Sequence, residues 1–137
     1  MNKLINMKIR IYITILVAIM ASGLIWANIP LFQNDTQLVL GTWISENDSK
    51  SVWVFETNNI CKRYYNNELR ATYSFSISQS SPQCGQQVDQ SGLHTYLSLT
   101  KSSDNEQTCY FINGLTTQKL SINAFDRSQI LVFNKKP

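Results

Sequence analysis

The sequence predicts an all-β domain of eight short antiparallel strands, an up-and-down barrel or a sandwich of equal strand count, preceded by an N-terminal hydrophobic helix. Three observations carry this expectation. Beyond residue 37 no stretch shows the 3.6-residue periodicity of a helix. Short alternating segments bounded by turn residues recur instead. Two asparagine pairs, Asn58-Asn59 and Asn66-Asn67, stand between such segments. Asparagine tolerates the left-handed conformation of tight hairpins, so both pairs read as two-residue turns.

Residues 1–32 hold Lys3, Lys8, Arg10 and no acid, then an apolar run from Ile11 to Ala27. A basic start before an apolar core is the layout of a signal peptide, with Ala21-Ser22-Gly23 or Ala27-Asn28 as the cleavage point. The run is also long for a signal. As a helix it reaches roughly 25 Å, and continued to Phe32 it would span a bilayer as an N-terminal membrane anchor. Both readings place the domain at 38–136 outside the cytoplasm: periplasmic, secreted or membrane-anchored. The formal charge of +3 belongs wholly to this leader, because residues 33–137 hold nine Lys/Arg and nine Asp/Glu. A neutral domain without a basic patch argues against nucleic acid as a partner.

The strands follow in order. Leu38–Ser45 is the first, Ser51–Glu56 the second and Ile60–Tyr65 the third. The fourth, Glu68–Ser78, alternates most cleanly: Leu69, Ala71, Tyr73, Phe75 and Ile77 share one face, while Arg70 and a run of Ser and Thr share the other. A polar loop, Gln79–Gly92, needs either a staple or a role. His94–Lys101, Gln107–Asn113, Lys119–Ala124 and Gln129–Asn134 complete the set. Inward candidates are Trp43, Trp53, Phe55, Tyr73, Phe75, Leu97, Leu99, Tyr110, Ile112, Leu120, Ile122, Leu131 and Phe133. So many large rings favour core packing over ligand lining. Trp53, Phe55, Tyr73 and Phe75 remain the candidates to line a ligand. Tyr64-Tyr65 and Tyr96 are candidates for outward aromatic surface, although adjacent strand residues point oppositely and one of Tyr64-Tyr65 is expected in the core.

Three cysteines, Cys61, Cys84 and Cys109, permit one bridge in an exported chain. Cys84 lies in the polar loop and Cys109 on a strand close by in a meander, which favours Cys84–Cys109; three buried thiols are the other reading. Cys61 is then left over, beside Lys62 and Arg63, cations that would lower its pKa. The lone His94 has no nucleophile or orienting group nearby in sequence. Glu46 with Asp48, and Asp104 with Glu106, flank turns without an EF-hand pattern. No catalytic set, metal site or cofactor motif emerges, so the chain reads as no enzyme.

Gly41-Thr42-Trp43 on the first strand resembles the Gly-x-Trp of the lipocalins. Its setting, LVLGTWISEN, is especially similar to lipocalin-like domains of the Bacteroidetes exported type, and SPQCG, YLSL, CYFINGLT and KLSI look like the later parts of that pattern. The resemblance spans roughly Leu38 to Lys136. It implies a closed barrel in which a basic side chain near the last strand lies across Trp43. Lys135 is the matching candidate, with Arg127 as the other, and a lysine stacks less well than a planar guanidinium. The expected function is an exported non-enzymatic barrel that binds a small apolar ligand weakly. The alternative is an envelope protein-interaction or inhibitor module acting through the Gln79–Gly92 loop.

Overall fold

The computed structural model describes residues 34–89 and 94–137, so the leader read at residues 1–32 lies outside the described residues. A one-turn helix, α1 (Asp35–Leu38), precedes eight strands: β1 (Gly41–Ser45), β2 (Ser51–Phe55), β3 (Ile60–Tyr65), β4 (Glu68–Ser78), β5 (Thr95–Lys101), β6 (Gln107–Leu115), β7 (Lys119–Ala124) and β8 (Ile130–Lys135). Each strand pairs antiparallel with the next, and β8 returns to pair with β1. The sheet is a closed up-and-down barrel, and closure removes the unpaired edges that a sandwich would have to protect.

β3, β4 and β7 keep the boundaries read from the sequence, and most other limits move by a residue or two. The first strand is corrected further, because it begins at Gly41 and Leu38 belongs to α1. Asn34 starts that turn: its side chain accepts a hydrogen bond from the Thr36 amide at 3.1 Å, as an N-cap does. Leu38-Val39-Leu40 is apolar because it plugs the barrel rather than because it pairs. Val39 is fully buried and Leu40 packs against the core.

Only one asparagine pair forms a two-residue turn. Asn66 and Asn67 both adopt positive φ, 53° and 64°, between the paired residues Tyr65 and Glu68. That is the twist a type I′ hairpin requires. Asn58-Asn59 instead belongs to a three-residue loop, with Glu56 and Ile60 joined by a backbone bond of 2.8 Å and Asn59 alone left-handed at φ 61°. A turn followed by one left-handed residue is the next commonest hairpin connection.

The alternation of β4 also breaks. Arg63 opposes Ala71 but Tyr64 opposes Leu69, so an extra residue at Arg70 makes a bulge. A bulge shifts the two-residue period by one. Leu69 therefore leaves the inward row and stands 52% exposed. A second bulge, at Asn113 between the pairs Ile112–Ile122 and Gly114–Ser121, has the opposite effect and turns Leu115 inward beside Leu120.

Trp43, Trp53, Phe55, Phe75, Leu97, Leu99, Tyr110, Leu120, Ile122 and Phe133 are buried in one core, with Tyr73, Ile112 and Leu131 partly buried against it. Every side chain of the inward expectation is thus found in or against the interior.

Candidate functional site

The two ends of the barrel differ. At the end where β1 begins, α1 lies beside Gly41, Trp43 and Lys135. Trp43 is completely buried, and its indole Nε1 donates to the Val39 carbonyl at 2.6 Å. Lys135, the β8 partner of Trp43, donates from Nζ to the Leu38 carbonyl at 3.0 Å, with Nζ 5.0 Å from the Trp43 ring centroid. Two carbonyls after a helical turn normally lack partners, and here barrel side chains satisfy them. Gly41 makes the arrangement fit, since a Cβ there would stand 2.8 Å from Lys135 Cε. Its φ of +119° is also poorly open to other residues. Arg127 is not part of this contact; it is largely exposed beside Asp126.

The middle of the barrel is occupied by rings. Trp53 lies 4.9 Å from Phe133 and 5.9 Å from Tyr110, centroid to centroid, while Phe55 meets Phe75 edge-on at 5.1 Å. Of the four candidate lining residues, Trp53, Phe55 and Phe75 are thus buried in mutual contact and Tyr73 is partly exposed. Among the described residues, surface pockets of about 320 to 480 Å³ lie at strand ends, turns and the polar loop, lined by other residues.

Toward the other end stands Arg63, two residues before β3 stops. The cross-strand pairs fix its direction: Phe55 is inward, Cys61 faces it, and Arg63 follows on the same side opposite Trp53. Its guanidinium carbon lies 3.7 Å from the Trp53 ring centroid and 4.5 Å from that of Tyr73. Nη2 donates to the Tyr110 hydroxyl at 2.8 Å. Nε is buried with no hydrogen-bond partner among the described residues. Sequence reasoning cast Arg63 only as a neighbour of Cys61. The signal that would have found it is parity, because Cys61, Arg63 and Tyr65 alternate on the face that the hairpin turns inward.

Cys84 and Cys109 form a disulfide across a sequence separation of 25, with Cα atoms 5.9 Å apart. Cys84 and Gly85, at φ 48° and 75°, turn a small hairpin between the bridged residues Gln83 and Gln86. The bridge pins this hairpin on the outer wall of β5 and β6. Tyr96, expected as outward aromatic surface, is instead 1% exposed, because its hydroxyl donates to the Asp89 carbonyl at 3.0 Å beneath the loop. Phe111 and Phe125 stack beside it at 4.4 Å, and the His94 ring meets Phe111 edge-on.

Cys61 is free and fully buried. Burial pushes its thiol up to about 12, outweighing the nearby Arg63 charge, which acts to lower it. At neutral pH it is therefore a protonated core residue without the thiolate that redox chemistry needs. Glu46 is held below the usual carboxylate range chiefly by its hydrogen bond to Lys119, and Asp104 by its hydrogen bond to Lys101. These are surface ion pairs. No group of three potential metal ligands occurs among the described residues. Comparisons with protein-family models, curated proteins and solved structures found no match.

Proposed function

We propose that the chain is an exported, non-enzymatic, lipocalin-like barrel that binds a small ligand weakly at the end of the barrel away from Trp43. The observation that carries this reading is the inequality of the two ends. One is sealed by α1, Trp43 and Lys135, whereas the other presents a guanidinium framed by Trp53, Tyr73 and Tyr110. Rings fill the section between them, so the ligand sits at the mouth rather than deep in a calyx. The Gly-x-Trp strand and the lysine across Trp43 support the lipocalin-like assignment, and the Cys84–Cys109 bridge suits an oxidising compartment outside the cytoplasm.

Ala71, directly opposite Arg63 on β4, is the position at which to plug the mouth. A fluorescent amphiphile such as 1-anilinonaphthalene-8-sulfonate should bind the wild type saturably at one site, and Ala71→Trp should abolish that binding. Unchanged binding by a folded Ala71→Trp variant would overturn the reading.

An envelope protein held through the stapled loop is the second reading, favoured by the Phe111–Phe125 stack beside a pocket of about 320 Å³. It ranks second because the loop already covers the barrel wall at Tyr96 and Cys109. A partner of that face would be lost on Phe125→Asp and kept on Ala71→Trp.

A further inference from the structure

The outer wall of β5 and β6 carries aromatic side chains that the barrel interior does not use. Leu97 and Tyr110 point into the barrel, so Tyr96 and its cross-strand partner Phe111 point out. Phe125, just beyond β7, donates its amide to the Cys109 carbonyl at 3.1 Å, which brings its ring beside Phe111. Tyr96 packs against both, with ring centroids 5.4 and 5.9 Å from theirs. Tyr96 is covered, but Phe111 and Phe125 remain half-buried and line a surface pocket of about 320 Å³. Gln86, Gln87, Asp89 and His94 also line it, and all of them are exposed.

We infer that this pocket is a subsite for the pyranose ring of a neutral sugar. The site is separate from the mouth of the barrel and gives the stapled face an occupant of its own. Phe111 and Phe125 stack 28° from parallel and so offer a flat apolar ledge. The negative face of an aromatic ring attracts C–H groups, and a pyranose presents a face of them. Sugar hydroxyls project around the ring and need partners that both donate and accept. Side-chain amides have that dual character, and Gln86 and Gln87 bring two of them to the pocket, beside His94 and Asp89. Among the described residues no lysine or arginine lines the pocket, and the Asp89 carboxylate opposes an anion. A quaternary cation is recognised by rings caged around it, whereas these two rings lie against each other. A neutral sugar fits both the ledge and its polar surround.

The loop is built to hold its amides in place. Backbone bonds of 2.8 and 2.9 Å join Gln83 and Gln86 across the Cys84-Gly85 turn. The disulfide ties that turn to Cys109, two residues from Phe111 on β6. Ser81 Oγ accepts from the Val88 amide at 3.0 Å and donates to Gln87 Oε1 at 3.0 Å, which leaves the Gln87 NH2 to donate outward. A polar loop fixed in advance keeps its ordering cost out of the binding step. That gives the staple a purpose beyond stability.

The test titrates the full chain with the methyl pyranosides of glucose, galactose, mannose and N-acetylglucosamine, and with choline, followed by NMR. At least one pyranoside should bind in the millimolar range and shift the side-chain amides of Gln86 and Gln87. Phe125→Ala should weaken it about tenfold, and Gln87→Ala about fivefold. Ala71→Trp, which plugs the mouth, should leave it unchanged. Binding by none of the pyranosides, or tighter binding of choline than of every pyranoside, would overturn the subsite. So would pyranoside binding that survives both Phe125→Ala and Gln87→Ala, or that is lost in a folded Ala71→Trp variant. The mouth reading is scored separately by its fluorescent amphiphile, so either can fail alone. Should Phe125→Ala fail to fold, Gln87→Ala on the exposed loop and the wild-type amide shifts decide the matter.

Discussion

Gly41 answers to two constraints at once. Its φ of +119° disfavours any side chain, and the space a Cβ would take holds the stem of Lys135. Gly41→Ala should therefore destabilise the barrel by about 1–3 kcal/mol in urea unfolding. Adding Lys135→Ala should recover part of that loss, because it removes the collision but leaves the backbone strain. An additive double variant would show that the lysine does not occupy the space. Cys61 gives a second expectation at this scale. The folded thiol titrates near 12, against 9.0 for its ordinary value, so the unfolded chain releases the proton first as pH rises. The thiol's contribution to stability is complete below pH 9.0 and falls away toward pH 12. The melting temperature of the wild type relative to Cys61→Ala should thus decline between those limits. A thiol reagent at pH 8 should find no reactive group until the protein unfolds; ready labelling of the native protein would contradict the burial.

Among elements, the stapled loop has the clearest energetic role. The chain-entropy treatment of a loop closed over about 25 residues gives the Cys84–Cys109 bridge about 3.5 kcal/mol. Cys84→Ser with Cys109→Ser should lose roughly that amount by urea unfolding and expose Tyr96 to solvent quenching. Stability unchanged within a few tenths would mean that the loop holds its place through the Tyr96–Asp89 contact alone. β3, β4, β7 and the Asn66-Asn67 hairpin were legible in the sequence because each depends on local turn chemistry and period, and the disulfide pairing was legible because a polar loop lies beside a strand close by in the meander. α1 was not: its four residues are too few for a helical period, and an apolar Leu38-Val39-Leu40 looks like strand until the barrel end it plugs is known. The bulges at Arg70 and Asn113 were hidden for a related reason. An extra residue leaves the composition of a strand unchanged and shows only in its register with the neighbour.

For the whole molecule, closure follows from eight consecutive antiparallel strands, and the sealed end follows from Gly41, Trp43, Lys135 and α1 acting together. The interior was readable as a set of apolar positions, whereas Arg63 was not, since a cation is expected at the surface and only the Trp53 register turns it inward. Residues 33–137 balance nine basic against nine acidic side chains, so the domain carries no net formal charge to steer a charged ligand. The unequal ends are the centre of the account, and mapping amide and indole resonances during a titration with 1-anilinonaphthalene-8-sulfonate tests them most directly. The Trp53 indole N–H and amides around Arg63, Tyr73 and Tyr110 should shift, while the Trp43 indole N–H and α1 stay in place. Shifts centred on Trp43 and α1, or on the Cys84–Cys109 loop, would contradict it.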